Sequence, residues 1–446
     1  MALSDDQIRN VLGEYAKVGP VPAPEPPRPG LSELRRGRLR PLRRPPARVA
    51  LVERNGLVVW EWGFVPQRTG HVGTRARRAA QRGEPARKEI FSDELQPFGV
   101  NQIGSLLFDF DCKRNPKFDR TNGWAIGQYN AREEKLDNPR SQQEEPRRVL
   151  LIVHGTASNC EHIVSQIQAA PGGGKLLADA AKHYSAVLTF EHPTVSLSPV
   201  MNALDLSTAL APYGNCEVDI ICHSRGGLVA SWWMHVVDQR PRLKRCVFVG
   251  SPLQGTNLAN PARLRGSLHL LANYGRLLGA IGDAAGFLAL PMTIIKVAAS
   301  VVDFTAKLPL LDAALAMMPG LSAQSLVANN AELARLKLRK SAAAAGDPPT
   351  HFYIQANFNS KDPEWRFWRY FTDNPKLRLA DAMVDTFVFP GENDLVVDTS
   401  SMSGAVGGPQ FKFTNDDGRV HHTNYFQQKD TIECIRKWLG ISDASS

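Results

Sequence analysis

The hydrophobic pattern changes character twice along the chain. Ile8, Val11, Leu12 and Tyr15 recur at helical spacing behind a Ser4-x-x-Gln7 capping box, which predicts one short helix near the start. Residues 20–46 lose that period and are rich in Pro and Arg, so residues 1–46 read as a helix followed by an extended linker. At 50–62 two β-rich arms flank Asn55-Gly56, the residues that favour a two-residue hairpin turn. Further strands are expected near 103–110 and 124–129, which makes residues 47–146 a β-rich accessory region.

From residue 147 short apolar runs alternate with amphipathic stretches. Strands are expected at 149–153, 186–190, 218–221, 245–249, 352–355 and 386–389, and helices near 161–183, 200–210, 227–239 and 424–439. That alternation, over 147–440, predicts an α/β fold: a mostly parallel sheet with helices on both faces. A long apolar and helical insertion at 257–345 interrupts it, with Leu268, Leu270, Leu271, Leu277, Leu278 and Ile281 followed by the run 308–318. Asp283, Pro291, Lys296 and Asp303 divide its apolar runs, so no membrane span is expected there. The insertion reads either as extra core helices or as a cap over an apolar pocket.

Composition places the 446 residues among globular proteins, with 43% apolar and 22% charged. The net charge of +9 is unevenly distributed. Residues 1–90 hold 18 Lys and Arg against 9 Asp and Glu, which accounts for the whole excess. Such an arm can meet an acidic partner or the surface of an anionic membrane, or be a solvated leader. No aromatic residue interleaves with the arginines of 35–48, so nucleic acid is not expected as a partner. The six cysteines (112, 160, 216, 222, 246 and 434) form no C-x-x-C pair and no disulfide-framework spacing. With no basic segment followed by an apolar core at the start, a cytoplasmic location is the simplest expectation.

The densest chemistry lies at 218–229, where a β-branched run gives way to a helical pattern around Ser224. A strand breaking sharply into a helix lifts the central side chain out of the sheet. It also needs small residues nearby, and the helix N-terminus offers free N–H groups to a developing negative charge. Gly226 and Gly227 supply the small residues behind the serine. Cys222 stands where the usual Gly-x-Ser-x-Gly pattern has its first glycine, and it is small enough for such a turn. As a nucleophile Cys222 is the lesser candidate, because it lies at the strand end and not at the turn apex.

A serine hydroxyl is inert alone; it needs a base, an acid to orient that base, and donors for the oxyanion. Asp394 follows the strand at 386–389 and Pro390-Gly391, and is favoured over Asp398 as the acid. His422, directly ahead of Thr-Asn-Tyr-Phe, is favoured over His421 as the base. Backbone N–H groups of Thr156, in the turn His154-Gly155-Thr156, and of Arg225 are the expected oxyanion donors. Glu191, His192 and His421 lack the spacing of a metal site, so neither metal nor cofactor is expected. The aromatic cluster at 365–371 reads as core.

Together these pieces resemble the α/β-hydrolase superfamily, and within it the lipase-like serine esterases. The matching motifs are Val-His-Gly-Thr (153–156), His-Ser-Arg-Gly-Gly (223–227), Gly-Ser-Pro-Leu-Gln-Gly-Thr (250–256), Gly-Glu-Asn-Asp-Leu-Val-Val (391–397) and the His before Thr-Asn-Tyr-Phe. Met318-Pro-Gly320 with Leu326 is similar to the segment that closes a lipase cap. The resemblance implies an α/β-hydrolase fold with a helical cap and a Ser224, Asp394, His422 triad in the chain order of that fold. It implies a lipase- or phospholipase-like enzyme that cleaves a small-molecule or lipid ester through an acyl-enzyme. The alternative is a non-catalytic interaction protein that keeps the fold and binds an acidic partner or a membrane through its basic N-terminal region. The intact set of three residues argues against that alternative.

Overall fold

The computed structural model describes residues 2–18, 47–54, 56–64, 87–95, 102–117, 120–139, 147–238, 242–279, 284–301, 316–326, 330–342, 350–371, 388–403, 407–413 and 419–442. The linker expected at 20–46, the run 308–315 and the first half of the strand expected at 386–389 lie outside these residues.

The first helix forms as its capping box predicts. In α1 (Asp5–Ala16) the Ser4 hydroxyl accepts from the Gln7 N–H at 3.3 Å, and the Gln7 side chain accepts from the Ser4 N–H at 2.9 Å. The hairpin follows: β1 (Ala47–Arg54) and β2 (Leu57–Phe64) pair antiparallel with Arg54 opposite Leu57, and Gly56 takes a φ of 79° in the turn. A third strand, β3 (Lys88–Leu95), pairs with the other edge of β1.

The strand expected at 103–110 is a helix instead, α2 (Ile103–Arg114). Ile103, Leu106, Leu107 and Phe110 are all buried, and they lie at the i, i+3, i+4, i+7 positions of one helical face. Their helical period outweighs the β-branched and aromatic composition of the segment.

The large sheet has eight strands. They are β4 (Ala125–Asn130), β5 (Lys135–Asp137), β6 (Arg148–Val153), β7 (Ala186–Glu191), β8 (Glu217–His223), β9 (Leu243–Val249), β10 (Thr350–Ala356) and β11 (Gln410–Phe413). Their spatial order is β5-β4-β7-β6-β8-β9-β10-β11, so the pairs β4/β5 and β6/β7 are each inverted relative to the sequence. All neighbours are parallel except β4, which runs antiparallel to both β5 and β7. This is the strand arrangement of the α/β-hydrolase fold. The strand expected at 124–129 in the accessory region therefore pairs into the large sheet, at its antiparallel end.

Both faces of that sheet are covered. One carries α3 (Cys160–Ala169), α4 (Gly173–His183) and α10 (Lys429–Leu439) over Ile152, Ile221 and Val247. The other carries α5 (Pro199–Ala209), α6 (Gly226–Trp232) and α9 (Ala331–Ala342) over Leu151, Val218 and Ile220. The single helix expected at 161–183 is broken between α3 and α4 by Pro171 and by Gly172 at φ 78°.

A third core lies apart from the sheet. The insertion contributes α7 (Leu264–Leu278) and α8 (Ala284–Val301), whose Leu268, Leu271, Leu288 and Ile295 pack with Val49, Val58, Trp60 and Phe110 of the N-terminal unit. Polar contacts fix the register. The Asn273 side chain accepts from the Val58 N–H at 2.9 Å and donates to the Val58 carbonyl at 2.6 Å, as a neighbouring strand would. His269 accepts from the Trp60 N–H at 3.1 Å. The Lys296 ammonium donates to the Tyr15, Ala16 and Val18 carbonyls at 3.2, 2.7 and 3.1 Å, closing the C-terminal end of α1. No helix among the described residues is long and apolar enough to cross a membrane.

Two predictions follow from this packing. Asn273→Ala strands a buried N–H and C=O of Val58, and costs about 2 kcal/mol of stability, measured by urea denaturation. The second concerns pH. Burial holds His154, His269 and His421 down to about 3 and His192 and His223 well below their ordinary value. Below pH ~6.5 the unfolded chain protonates these five while the native chain does not, so stability is lost as pH falls. Burial pushes Glu191 up to about 7, which opposes part of the effect. The urea midpoint at pH 5 is therefore expected well below that at pH 7; equal midpoints contradict the neutral, buried histidines.

Candidate active site

Ser224 sits at the apex of the turn from β8 into α6 with a φ of 53°, a left-handed conformation that costs a serine about 1 kcal/mol or more. The turn is held by the Ser224 N–H, which donates to the Val249 carbonyl at 2.9 Å, and by the Gly227 N–H, which donates to the Ser224 carbonyl at 3.0 Å. The glycines behind it are required by contact. A methyl group on Gly226 would come within 2.6 Å of the Val153 carbonyl oxygen and 2.7 Å of that of His154, and one on Gly227 would strike the Ser251 side chain. Cys222 fits the remaining small position, its thiol 3.4 Å from the Val247 carbonyl and 3.8 Å from the Cys246 sulfur.

The structure brings His422 and Asp394 together. His422 Nδ1 lies 2.8 Å from Asp394 Oδ2, and the His422 N–H donates to the Asp394 carbonyl at 3.0 Å. The remaining lone pairs of Asp394 are filled: Tyr425 donates its hydroxyl to Oδ2 at 2.9 Å, and the Val396 and Val397 N–H groups donate to Oδ1 at 3.0 and 2.8 Å. A carboxylate so bound keeps its orientation and fixes the histidine tautomer with Nδ1 protonated and Nε2 free. The His422 main chain is also tied to the elbow, since His223 Nε2 donates to the His422 carbonyl at 2.8 Å. Gly250, at φ 54°, makes room for the pair: a methyl group there would lie 3.2 Å from Asp394 Oδ2 and 3.4 Å from His422 Nδ1.

The competing residues are engaged elsewhere. Asp398 accepts from the Asn257 N–H and side-chain amide at 3.1 and 2.9 Å, which braces the loop after β9. His421 meets the Tyr274 hydroxyl at 2.9 Å and packs on Trp365. The 365–371 cluster is largely core, with Phe367 and Phe371 buried.

Thr156 lines the pocket beside Ser224, and Arg225 follows Ser224 in the chain. Among the described residues, neither backbone N–H donates to a protein acceptor. Beside them, the Ala157 N–H donates to the Thr194 hydroxyl at 3.0 Å and the Ser224 N–H is used as above. Gly155 keeps this strip against the serine, because a methyl group on it would lie 2.7 Å from Ser224 Cβ. The Arg225 side chain is fully buried and donates to the Leu197 carbonyl at 2.5 Å, the Asn202 side chain at 2.7 Å and the Gly320 carbonyl at 3.4 Å. Burial brings it down to about 10, against the pull of Asp111 and Glu332.

Ser224, His422 and Thr156 line one pocket. Its walls are Leu264, Leu268 and Leu271 on one face of α7 and Phe287, Leu290 and Ile294 on one face of α8. Two helices of the insertion therefore line the pocket that holds Ser224, while they also pack in a core with the N-terminal unit. Next to the strip 155–157, His154 accepts from the His192 N–H at 3.2 Å and approaches Glu191 at 3.4 Å. His154 is neutral, so this contact is not an ion pair. No group of three or more His, Cys, Asp or Glu among the described residues could hold a metal.

Sequence reasoning missed Tyr425 and Asp111. Tyr425 lies in the motif that singled out His422 and was legible only as a neighbour. Asp111 was hidden by the reading of its helix as a strand; its one signal is an acid on an otherwise apolar helical face.

Several solved structures share part of this architecture at low identity. A lipase of Bacillus licheniformis (BlEst2, mature form) is 13% identical over 71% of this chain and 98% of its own, with a TM-score of 0.38. EstA from Clostridium botulinum is 12% identical over 79% and 100%, with a TM-score of 0.39. Lipase 1 from Pelosinus fermentans is 11% identical over 68% and 100%, with a TM-score of 0.40. No curated protein matches the sequence. The family described as "Domain of unknown function (DUF7379)" matches residues 117–440, and the chain belongs to it.

Proposed function

We propose that the chain is a serine hydrolase that cleaves carboxylic esters with an apolar acyl group. The observation that carries the reading is a strained Ser224 and an Asp394-bound His422 opening onto one apolar pocket. The acyl chain lies between the leucines of α7 and the Phe287 face of α8, with the ester carbonyl at Ser224. His422 Nε2 takes the proton from Ser224 Oγ as the oxygen attacks the carbonyl carbon. Asp394 stabilises the imidazolium that forms, and the N–H groups of Thr156 and Arg225 bind the oxyanion. The C–O bond then breaks, and the alcohol leaves with the proton from His422. Water, activated by the same imidazole, releases the acid and restores Ser224. Removal of one oxyanion donor in such a site costs roughly 3 kcal/mol of barrier.

The apolar lining favours a lipid ester, an acylglycerol or phospholipid, over a small soluble one. Apolar side chains of α7 and α8 make up much of its wall.

A p-nitrophenyl ester series from acetate to palmitate tests the reading. The wild type is expected to prefer chains longer than acetate, and Ser224→Ala and His422→Ala to lose roughly 10⁴-fold or more in kcat. Leu290→Trp fills the pocket and is expected to shift the preference toward shorter chains. A rate that survives Ser224→Ala unchanged contradicts the proposal.

A further inference from the structure

We infer that Asp111, on a helix outside the hydrolase sheet, is a positioning residue that sets the spacing of the two oxyanion N–H groups, an inference that rests on the hydrolase reading above. Asp111 is buried, and both carboxylate oxygens are saturated by one short loop. Oδ1 accepts from the Thr194 N–H and hydroxyl, both at 2.9 Å, and from the Val195 N–H at 3.1 Å. Oδ2 accepts from the Val195 N–H at 3.2 Å, the Ser196 N–H at 2.9 Å and the Ser196 hydroxyl at 2.7 Å. An ionised acceptor makes each of these stronger than its neutral counterpart.

The loop so gathered touches both halves of the oxyanion site. On one side the Thr194 hydroxyl accepts from the Ala157 N–H at 3.0 Å, while Arg114, three residues on from Asp111, donates to the Ala157 carbonyl at 2.9 Å. Ala157 is thus held from both ends in a left-handed conformation, φ 52°, immediately after Thr156. On the other side the Leu197 carbonyl accepts from the Arg225 guanidinium at 2.5 Å. The loop also accepts from the cap-closing segment, the Gly320 N–H reaching the Val195 carbonyl at 3.1 Å. Residues 194–197 therefore form a rigid bracket between Thr156 and Arg225, and α2 grips its middle. The buried carboxylate also balances the buried Arg225 charge, which attracts it across the bracket.

The bracket explains why α2 belongs with the active site although it lies outside the sheet. Oxyanion donors act through where they point, and a shift of about 1 Å can cost about a hundredfold in rate. An asparagine at 111 would turn an NH₂ group toward N–H donors on one side and remove the countercharge. Thr194→Val is the milder test, since it deletes only the hydroxyl that links Asp111 to Ala157.

The experiment compares full-length wild type, Asp111→Asn, Thr194→Val and Ser224→Ala. Active sites are titrated with a fluorophosphonate so that rates refer to competent molecules. The expected result is a fall of about ten- to a hundredfold in kcat for Asp111→Asn, and a smaller fall for Thr194→Val. KM is expected to stay within about twofold, because the acyl pocket is untouched. Affinity for a trifluoromethyl ketone, which forms the oxyanion on Ser224, is expected to drop by the same factor as kcat/KM. If Asp111→Asn does not fold, Thr194→Val carries the comparison alone. A lower melting temperature with kcat and ketone affinity per titrated site unchanged overturns the inference, leaving Asp111 a brace. A wild type without Ser224-dependent hydrolysis overturns the hydrolase reading first, and the inference with it.

Discussion

The site depends on the close approach of α6 to β6 beneath Ser224. Only hydrogen side chains fit at Gly226 and Gly227, because the Val153 and His154 carbonyls and the Ser251 side chain occupy the space. That contact forces the chain to turn sharply after β8 and puts Ser224 at a φ of 53°. The strain is small beside the packing that imposes it, since two nearly continuous apolar strands and a buried helix meet there. It leaves the hydroxyl on the pocket side of the sheet and the Arg225 N–H at the start of a helix, where the dipole favours negative charge.

Around that fixed point the N-terminal unit and the helices of the insertion pack together. Their apolar residues form a single core, and Asn273, His269 and Lys296 tie the cap helices to β2 and α1 by hydrogen bonds. A second set of ties runs from α2 to the loop after β7 and to the strip before α3. The segment preceding most of the large sheet thus reaches both the helices that line the pocket and the strip 155–157 beside Ser224. This gives the accessory region a physical role that its composition alone does not suggest.

The sheet and the elbow were legible because their signals are local. Alternating apolar runs mark β6 to β10, and Gly226 and Gly227 follow Ser224 directly. The loops that hold Asp394 and His422 stand out for the same reason, since each carries a motif continuous in sequence. The choice of Asp394 over Asp398 was weaker: the two lie four residues apart, and only the fold reveals that Asp398 serves Asn257. The helix at α2 was misread because aromatic and branched residues were weighted above their 3.6-residue period. With it went Asp111, whose partners at 194–196 lie more than eighty residues away. Long-range polar pairing of that kind leaves no periodic trace in a single sequence.

The most direct test of the central claim is mass spectrometry of the full-length protein after reaction with a fluorophosphonate, with and without liposomes. An activated serine predicts one adduct per chain, on the peptide that contains Ser224, and its loss in His422→Ala. A folded wild type with no adduct in either condition, or with its adduct on another residue, contradicts the account.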